Sequence, residues 1–272
     1  MFGIDPSITT IMRGHALNVE RGYFPKDIPE TWPRFSLVTS IACFYDADDP
    51  VAFARAVRDT LRPGGRWCVE VADLAAMVEN GAYDAVCHEH LCYYDLDSLT
   101  RVAERAGLGL KKFSRNGCNG GSLRCYFGHP EDGENLRPYS PATDLEGFAD
   151  RVQSARQYLI EQVNDCLRHG KTIHLLGAST KIGTVLQFCG LTAKEIPFAS
   201  DRDPLKHGLR IPGTGIPIVS EEQSRAMKPD VYLVGPWHFR DEIMARERQA
   251  GSRATFLWPM PGLPTNREAV CV

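Results

Sequence analysis

The sequence predicts two α/β domains with largely parallel sheets, joined by a polar connector and one long helix. Three observations carry that prediction. Apolar runs of strand length alternate with amphipathic helical periods from Phe2 to Phe127. A polar stretch from about Gly128 to Pro141, containing Pro and Gly, interrupts them and leads into a long helical period. The alternation then restarts at Thr172. Strands alternating with helices imply parallel pairing, because a parallel connection has to cross over the sheet. The boundaries read from these breaks are residues 1–128, a connector and helix over 129–169, and a second domain over 170–272.

Each element has a local reason. Phe2-Gly3-Ile4-Asp5 is a short apolar strand ending in an acid and closed by Pro6, and Phe35 to Cys43 is a continuous apolar run. Asp49 supplies an N-cap, Pro50 suits the first helical position, and Phe53, Val57 and Leu61 recur every four residues. Pro63-Gly64-Gly65 is expected to stop that helix, with a strand from Arg66 to Val71. A helix from about Leu96 to Ala106 follows, capped by Asp95, with Tyr94 able to pack on Leu99. Gly107 ends it. Leu108 to Phe113 and Ser122 to Phe127 are strands on either side of a tight turn at Asn119-Gly120-Gly121. The long helix spans about Leu145 to Arg168, with Phe148, Val152, Ala155, Leu159 and Val163 on one face and Gly170 beyond its end. In the second domain, Thr172 to Leu176, Ile196 to Ser200, Val231 to Val234 and Thr255 to Leu257 are strands. Helices run over Thr180 to Cys189 and about Phe239 to Ala250.

Composition narrows the function. A formal charge of −3 provides no field to gather nucleic acid or an anionic membrane. No long uninterrupted apolar span or signal peptide is read, which points to the cytoplasm. Nine cysteines without a C-x-x-C pair read as reduced, mostly buried hydrophobes.

Four constellations can carry chemistry. Asp5 ends an early strand, where an acid commonly accepts hydrogen bonds from ribose hydroxyls, although a solvated turn residue explains it equally well. Cys87-His88-Glu89-His90-Leu91-Cys92-Tyr93-Tyr94 concentrates groups able to move protons near neutral pH. If extended, this segment puts His88 and His90 on one side and Glu89 on the other. A zinc site here lacks a second ligand pair, so no metal is assigned. In Asn119-Gly120-Gly121-Ser122-Leu123-Arg124, the glycines suit a tight turn, while Ser122 and Arg124 can donate to phosphate or sugar oxygens. Gly177-Ala178-Ser179-Thr180-Lys181 lies between a strand and a helix. It aims backbone N–H groups and the helix's positive end at whatever lies above the turn, although it is neither a Walker loop nor G-x-G-x-x-G.

Taken in order, these segments resemble the class I sugar C-methyltransferases, enzymes that methylate a carbon of a nucleotide-linked ketodeoxysugar. Ser40-Ile41-Ala42-Cys43-Phe44-Tyr45-Asp46, His88 to Tyr94 and Gly120 to Arg124 resemble their catalytic domain. Gly177 to Lys181, Asp201 to Gly208, Pro212-Gly213-Thr214, Ile216-Pro217-Ile218 and Pro236-Trp237-His238-Phe239 resemble their C-terminal domain. The resemblance spans about residues 1 to 263.

The resemblance implies S-adenosylmethionine as methyl donor, with Asp5 at its ribose and Ser40, Ile41 and Ala42 lining its pocket. Glu89 and His90 fall where the family places its proton-abstracting groups, with His88 and Tyr45 as donors to an enolate oxygen. Ser122, Arg124, Ser179, Lys181, Asp201, Lys206, His207 and His238 fall on the sugar-nucleotide side. Two departures matter. Ile182 and Gly183 stand where the family has glycine and asparagine. The family's zinc-binding segment and first strand with its glycine loop have no counterpart before Ile4-Asp5. The implied fold is therefore an incomplete Rossmann-like methyltransferase domain, lacking its first strand, plus a second Rossmann-like α/β domain. A separate polypeptide supplying that segment is one expectation, and a sugar-nucleotide-binding protein without methyl transfer is another. A nicotinamide-dependent oxidoreductase lacks the dinucleotide fingerprint.

Overall fold

The computed structural model describes residues 1–7, 18–137 and 143–260. Residues 138–142, at the end of the expected connector, lie outside them. The chain divides into two compact units, neither continuous in sequence. The first comprises Met1–Asp73, Leu91–Asn116 and Ser122–Pro141; the second comprises Leu74–His90, Gly117–Gly121 and Ala142–Val272.

In the first unit, β1 (Phe2–Asp5) pairs in parallel with β2 (Asn18–Arg21) as a separate two-stranded sheet. The sequence reading missed β2, which is only four residues long and offers one apolar side chain, Val19. β3 (Phe35–Ile41) leads to α1 (Pro50–Thr60), whose N-cap Asp49 accepts from Ala52 N–H at 2.9 Å. The Pro-Gly-Gly triplet does not stop this helix. It lies inside β4 (Leu61–Ala72), where the register against β3 shifts between Phe35 and Leu37. That irregularity needs a glycine, since a β-carbon on Gly65 would approach the Phe35 carbonyl oxygen to 2.8 Å.

α2 (Leu74–Glu79) belongs to the second unit, and α3 (Leu96–Arg105) returns to the first behind a capping box formed by Asp95 and Ser98. The hairpin of β5 (Gly109–Asn116) and β6 (Ser122–Gly128) completes a four-stranded sheet ordered β3-β4-β6-β5. The β3–β4 pairing is parallel, and those involving β6 are antiparallel. Trp67 is the core's centre. Its ring lies 5.0 Å from Phe44 and 5.6 Å from Phe127 between centroids, and its Nε1–H donates to Ser40 Oγ at 3.1 Å.

The second unit opens its main section with α4 (Leu145–Arg168), capped by Asp144, whose side chain accepts from Gly147 N–H. Phe148, Ala155, Leu159, Val163 and Cys166 form its buried face; Val152, expected among them, is half-buried. β7 (Ile173–Leu176), α5 (Thr180–Cys189) and β8 (Phe198–Asp201) follow the alternation read from sequence. β9 (Ile218–Ser220) and α6 (Glu221–Ala226) were not foreseen; Ser220 and Gln223 form the capping box that separates them. β10 (Val231–Val234), α7 (Arg240–Gln249) and β11 (Thr255–Leu257) finish a sheet ordered β11-β10-β7-β8-β9, parallel throughout. β7 and β10 are buried at every position, as expected for strands covered on both sides. Among the described residues no helix is long and apolar enough to cross a membrane.

Because Trp67 joins ring packing to a buried hydrogen bond, Trp67→Ala should destabilise the protein by roughly 3–5 kcal/mol. Urea denaturation followed by circular dichroism measures this.

Candidate functional site

Seven of the candidate residues line three cavities, each contained within one unit: Asp5, Ser40, His88, Glu89, Ser179, Asp201 and Lys206. In the first unit, a cavity of about 480 Å³ is lined by Asp5 at the end of β1, Thr39 and Ser40 on β3, and the rings of Phe2, Tyr23, Phe24, Trp32 and Phe53. The sequence reading placed Asp5 and Ser40 together, and they share this cavity. The Ser40 hydroxyl already accepts from Trp67, so it helps fix the wall. Ile41 and Ala42 are exposed and are not among the lining residues. Ala42 turns the chain with a φ of 55°, in the left-handed region, while its N–H donates to Glu70 O at 2.9 Å. Tyr45, two residues past Cys43, is half-buried, and its carbonyl oxygen accepts from both Leu91 and Cys92 N–H at 3.0 Å.

The acid, the rings and the volume fit the adenosine half of a nucleoside-bearing donor. Asp5 can accept from ribose hydroxyls and the rings can cover the base. Among the described residues no glycine loop stands beside β1 to hold an amino-acid moiety.

His88, Glu89 and His90 fold with the second unit. They are not extended: a turn covers His88 and Glu89, and His90 N–H donates to Cys87 O at 3.2 Å. Strict alternation is thereby lost, and His88 and Glu89 line the same cavity of about 440 Å³. Its other walls are the start of α5 (Ala178, Ser179, Thr180), the next helical turns (Gly183, Thr184, Gln187), and Lys206 with Leu209 to Pro212. Ser179 caps α5 through Ile182 N–H. The helix therefore presents its positive end to this space, where Lys206 and Arg210 add full charges. Arg210, Thr184 and Gln187 were not singled out in the sequence; they become neighbours only when α5 packs beside the loop before β9.

Asp201 and His207 organise this wall. The Asp201 carboxylate accepts from Ala178 N–H at 2.9 Å, Asp203 N–H at 2.9 Å and Lys206 Nζ at 3.0 Å, and its carbonyl oxygen is 2.8 Å from His207 Nε2. A third cavity, about 290 Å³, lies over the carboxyl ends of β7, β8 and β10, between Gly177, Asp201, Pro236 and the charged Arg202, Glu242 and Arg246.

The remaining candidates are placed as follows. Lys181 Nζ donates to Asn119 O at 3.3 Å, so the GASTK turn touches the NGG turn within the second unit. His238 is half-buried; burial and the Lys181 ammonium hold its imidazole down to about 4, leaving it neutral near pH 7. Ser122 is buried on β6. The Arg124 guanidinium is committed to Glu70, which Asn116 also contacts, so this arginine braces the first unit's sheet. Among the described residues no cluster of three metal-ligating side chains occurs, and none of the eight cysteines there forms a disulfide.

The low value for His238 has a stability consequence. An unfolded histidine titrates near 6.5, so between that pH and about 4 the unfolded chain binds a proton that the folded chain refuses. This contribution therefore weakens the fold as pH drops through that window. His238→Gln should flatten the fall in stability between pH 6.5 and 4, as measured by urea midpoints at successive pH values.

Comparison with known proteins finds matches in both halves of the chain. Residues 1–111 match a family of methyltransferase domains, and residues 134–261 match the C-methyltransferase C-terminal domain. The C-methyltransferase NovU of Streptomyces niveus is 31% identical over 239 residues, which cover 83% of this chain and 57% of that protein. This chain thus spans little more than half the length of that relative. Among solved structures, the putative methyltransferase in complex with the Trm112 activator of Haloferax volcanii aligns with 17% identity over 47% of this chain and 71% of its own, at a TM-score of 0.41. The CcbJ methyltransferase from Streptomyces caelestis aligns with 15% identity over 47% and 74%, at 0.37. The first half of the chain is thus similar to methyltransferase domains, and the second to the C-terminal domain of C-methyltransferases.

Proposed function

We propose that this chain carries the catalytic and sugar-nucleotide parts of an S-adenosylmethionine-dependent enzyme that methylates the carbon next to the ketone of a nucleotide-linked deoxysugar. One observation supports this most: His88 and Glu89 line the same cavity as the α5 N-terminus, Lys206 and Arg210. Proton-transfer groups and an anion cradle in one space suit a substrate that carries both an acidic carbon and a diphosphate.

S-adenosylmethionine, when bound, supplies an electrophilic methyl group. Asp5 accepts from its ribose hydroxyls, and Phe2, Tyr23, Phe24 and Trp32 exclude water around its base. The diphosphate meets the first-turn N–H groups of α5, the Ser179 hydroxyl, Lys206 and Arg210, with Lys181 adding positive charge nearby. His90 removes the proton on the carbon beside the ketone, with Glu89 orienting it or serving as alternate base. His88 donates to the enolate oxygen, a donation worth about 3 kcal/mol where the geometry is good.

A second reading draws on the first unit's sheets. β1 pairs only with β2, and β3 only with β4, among the described residues. The 480 Å³ cavity is lined from both β1 and β3. A parallel strand from further polypeptide, filling between those open edges, would join the two sheets and complete the donor site. Without that strand, the chain binds the sugar nucleotide and transfers no methyl group.

His90→Ala should abolish solvent exchange of the sugar carbon's deuterium while binding of thymidine diphosphate persists; exchange at the wild-type rate would remove His90 from the base role. Arg210→Ala should weaken thymidine diphosphate by about tenfold, near 1.4 kcal/mol, in titration calorimetry. Titrating the wild-type chain with donor and with sugar nucleotide separates the two readings, since the second gives heat with the sugar nucleotide alone.

A further inference from the structure

The turn that carries His88 and Glu89 has neither strand nor helix to hold it. From Val86 to Tyr93 the backbone is irregular, following the single 3-10 turn Tyr83–Ala85. Inside that turn sits Asp84, 2% exposed and four residues ahead of His88. One carboxylate oxygen, Oδ2, accepts from the indole Nε1–H of Trp237 at 2.9 Å. Trp237 is itself buried, in the turn after β10. Its ring is confined by Gly120, where a β-carbon would come within 2.7 Å of the indole. Asn80 closes the same neighbourhood by donating to Gly120 O at 3.0 Å. All of these residues lie within the second unit.

We propose that Asp84 is a positioning residue, holding the His88–His90 turn in its working place through the buried hydrogen bond to Trp237. The inference rests on the methyltransferase reading for what the turn does, and on the geometry above for what holds it. An interior acid is an expensive way to fill space, and an apolar residue of similar size avoids that cost. Burial pushes the carboxyl up, while Lys181, the indole N–H and the backbone N–H groups of Asp84 and Ala85 draw it back toward the charged form. The hydrogen bond to a confined indole gives what the apolar residue lacks: one direction and one length for the turn. Asp84 touches no reacting atom in this account and acts through the backbone it anchors.

The test uses the full chain with Asp84→Ala, Trp237→Phe, the double variant and Asp84→Asn. Deuterium uptake by peptides spanning 86–94, measured by mass spectrometry without substrate, reads the tether directly. Peptides from β7 and β10 report whether the fold survives. Each of the two tether-breaking single variants should speed exchange in 86–94 by roughly tenfold, with the double variant no faster than either single. Asp84→Asn keeps an acceptor for the indole and should restore most of the protection. In turnover assays, kcat should fall by about tenfold while KM for the sugar nucleotide stays within about twofold, the pattern of lost alignment rather than lost binding. Wild-type exchange in Trp237→Phe, or effects that add in the double variant, would overturn the proposal; Trp237→Phe decides it even if Asp84→Ala fails to fold. A wild-type chain without methyl transfer would count against the functional reading and leave the exchange result to judge the tether.

Discussion

Two glycines let the NGG turn pack closely on α2 and on the turn after β10. A β-carbon on Gly120 would lie 2.7 Å from the Trp237 ring, and one on Gly121 would lie 2.5 Å from the Ala76 β-carbon. Both glycines have positive φ, 91° and 128°, where a side chain is strained as well as crowded. The turn joins β5 to β6 of the first unit, yet it packs with α2 and the β10 turn of the second. Lys181 reaches its carbonyl at Asn119, and Asn80 reaches the one at Gly120. These two hydrogen bonds form where backbones approach so closely that only glycine fits.

The charged architecture of the second unit follows from its sheet. Five parallel strands put their carboxyl ends on one side, and the turns leaving those ends hold Gly177, Asp201 and Pro236. Asp201 gathers three donors from Ala178, Asp203 and Lys206, which ties the GASTK turn to the block after β8. The lysine is thereby held at the wall of the 440 Å³ cavity, beside the helix start. An anion entering that space meets charges already set in place, so little ordering cost remains to be met on binding.

In the first unit the limiting feature is an open edge. Among the described residues β1 and β3 each run parallel to one partner, and both line one cavity. Aromatic rings cover part of the exposed apolar surface. Phe2 lies 5.4 Å from Trp32 and 5.6 Å from Phe35, which links the small sheet to the large one without strand pairing. Ring contact of this kind carries no register, whereas a hydrogen-bonded ladder fixes one. The core around Trp67 is made of buried side chains, among them Phe44, Leu61, Leu99 and Phe127.

The sequence by itself determined most of the elements and their order. Asp49, Asp95 and Gly170 mark helix ends by local chemistry, and the buried strands β7 and β10 announce themselves as unbroken apolar runs. Short elements such as β2 and β9 went unread because three or four residues are too few to show a period. The Pro-Gly-Gly triplet misled because a bulge and a helix stop require the same residues. Which side chains share a cavity was decided only by the tertiary structure. Glu89 joins His88 because a turn replaced the alternation of an extended strand, and Arg210 joins Lys206 through a loop. Asp84 and Trp237, 153 positions apart, meet in one hydrogen bond. Local propensity acts over a few residues, whereas such meetings depend on how whole elements pack, and no short stretch of sequence encodes that.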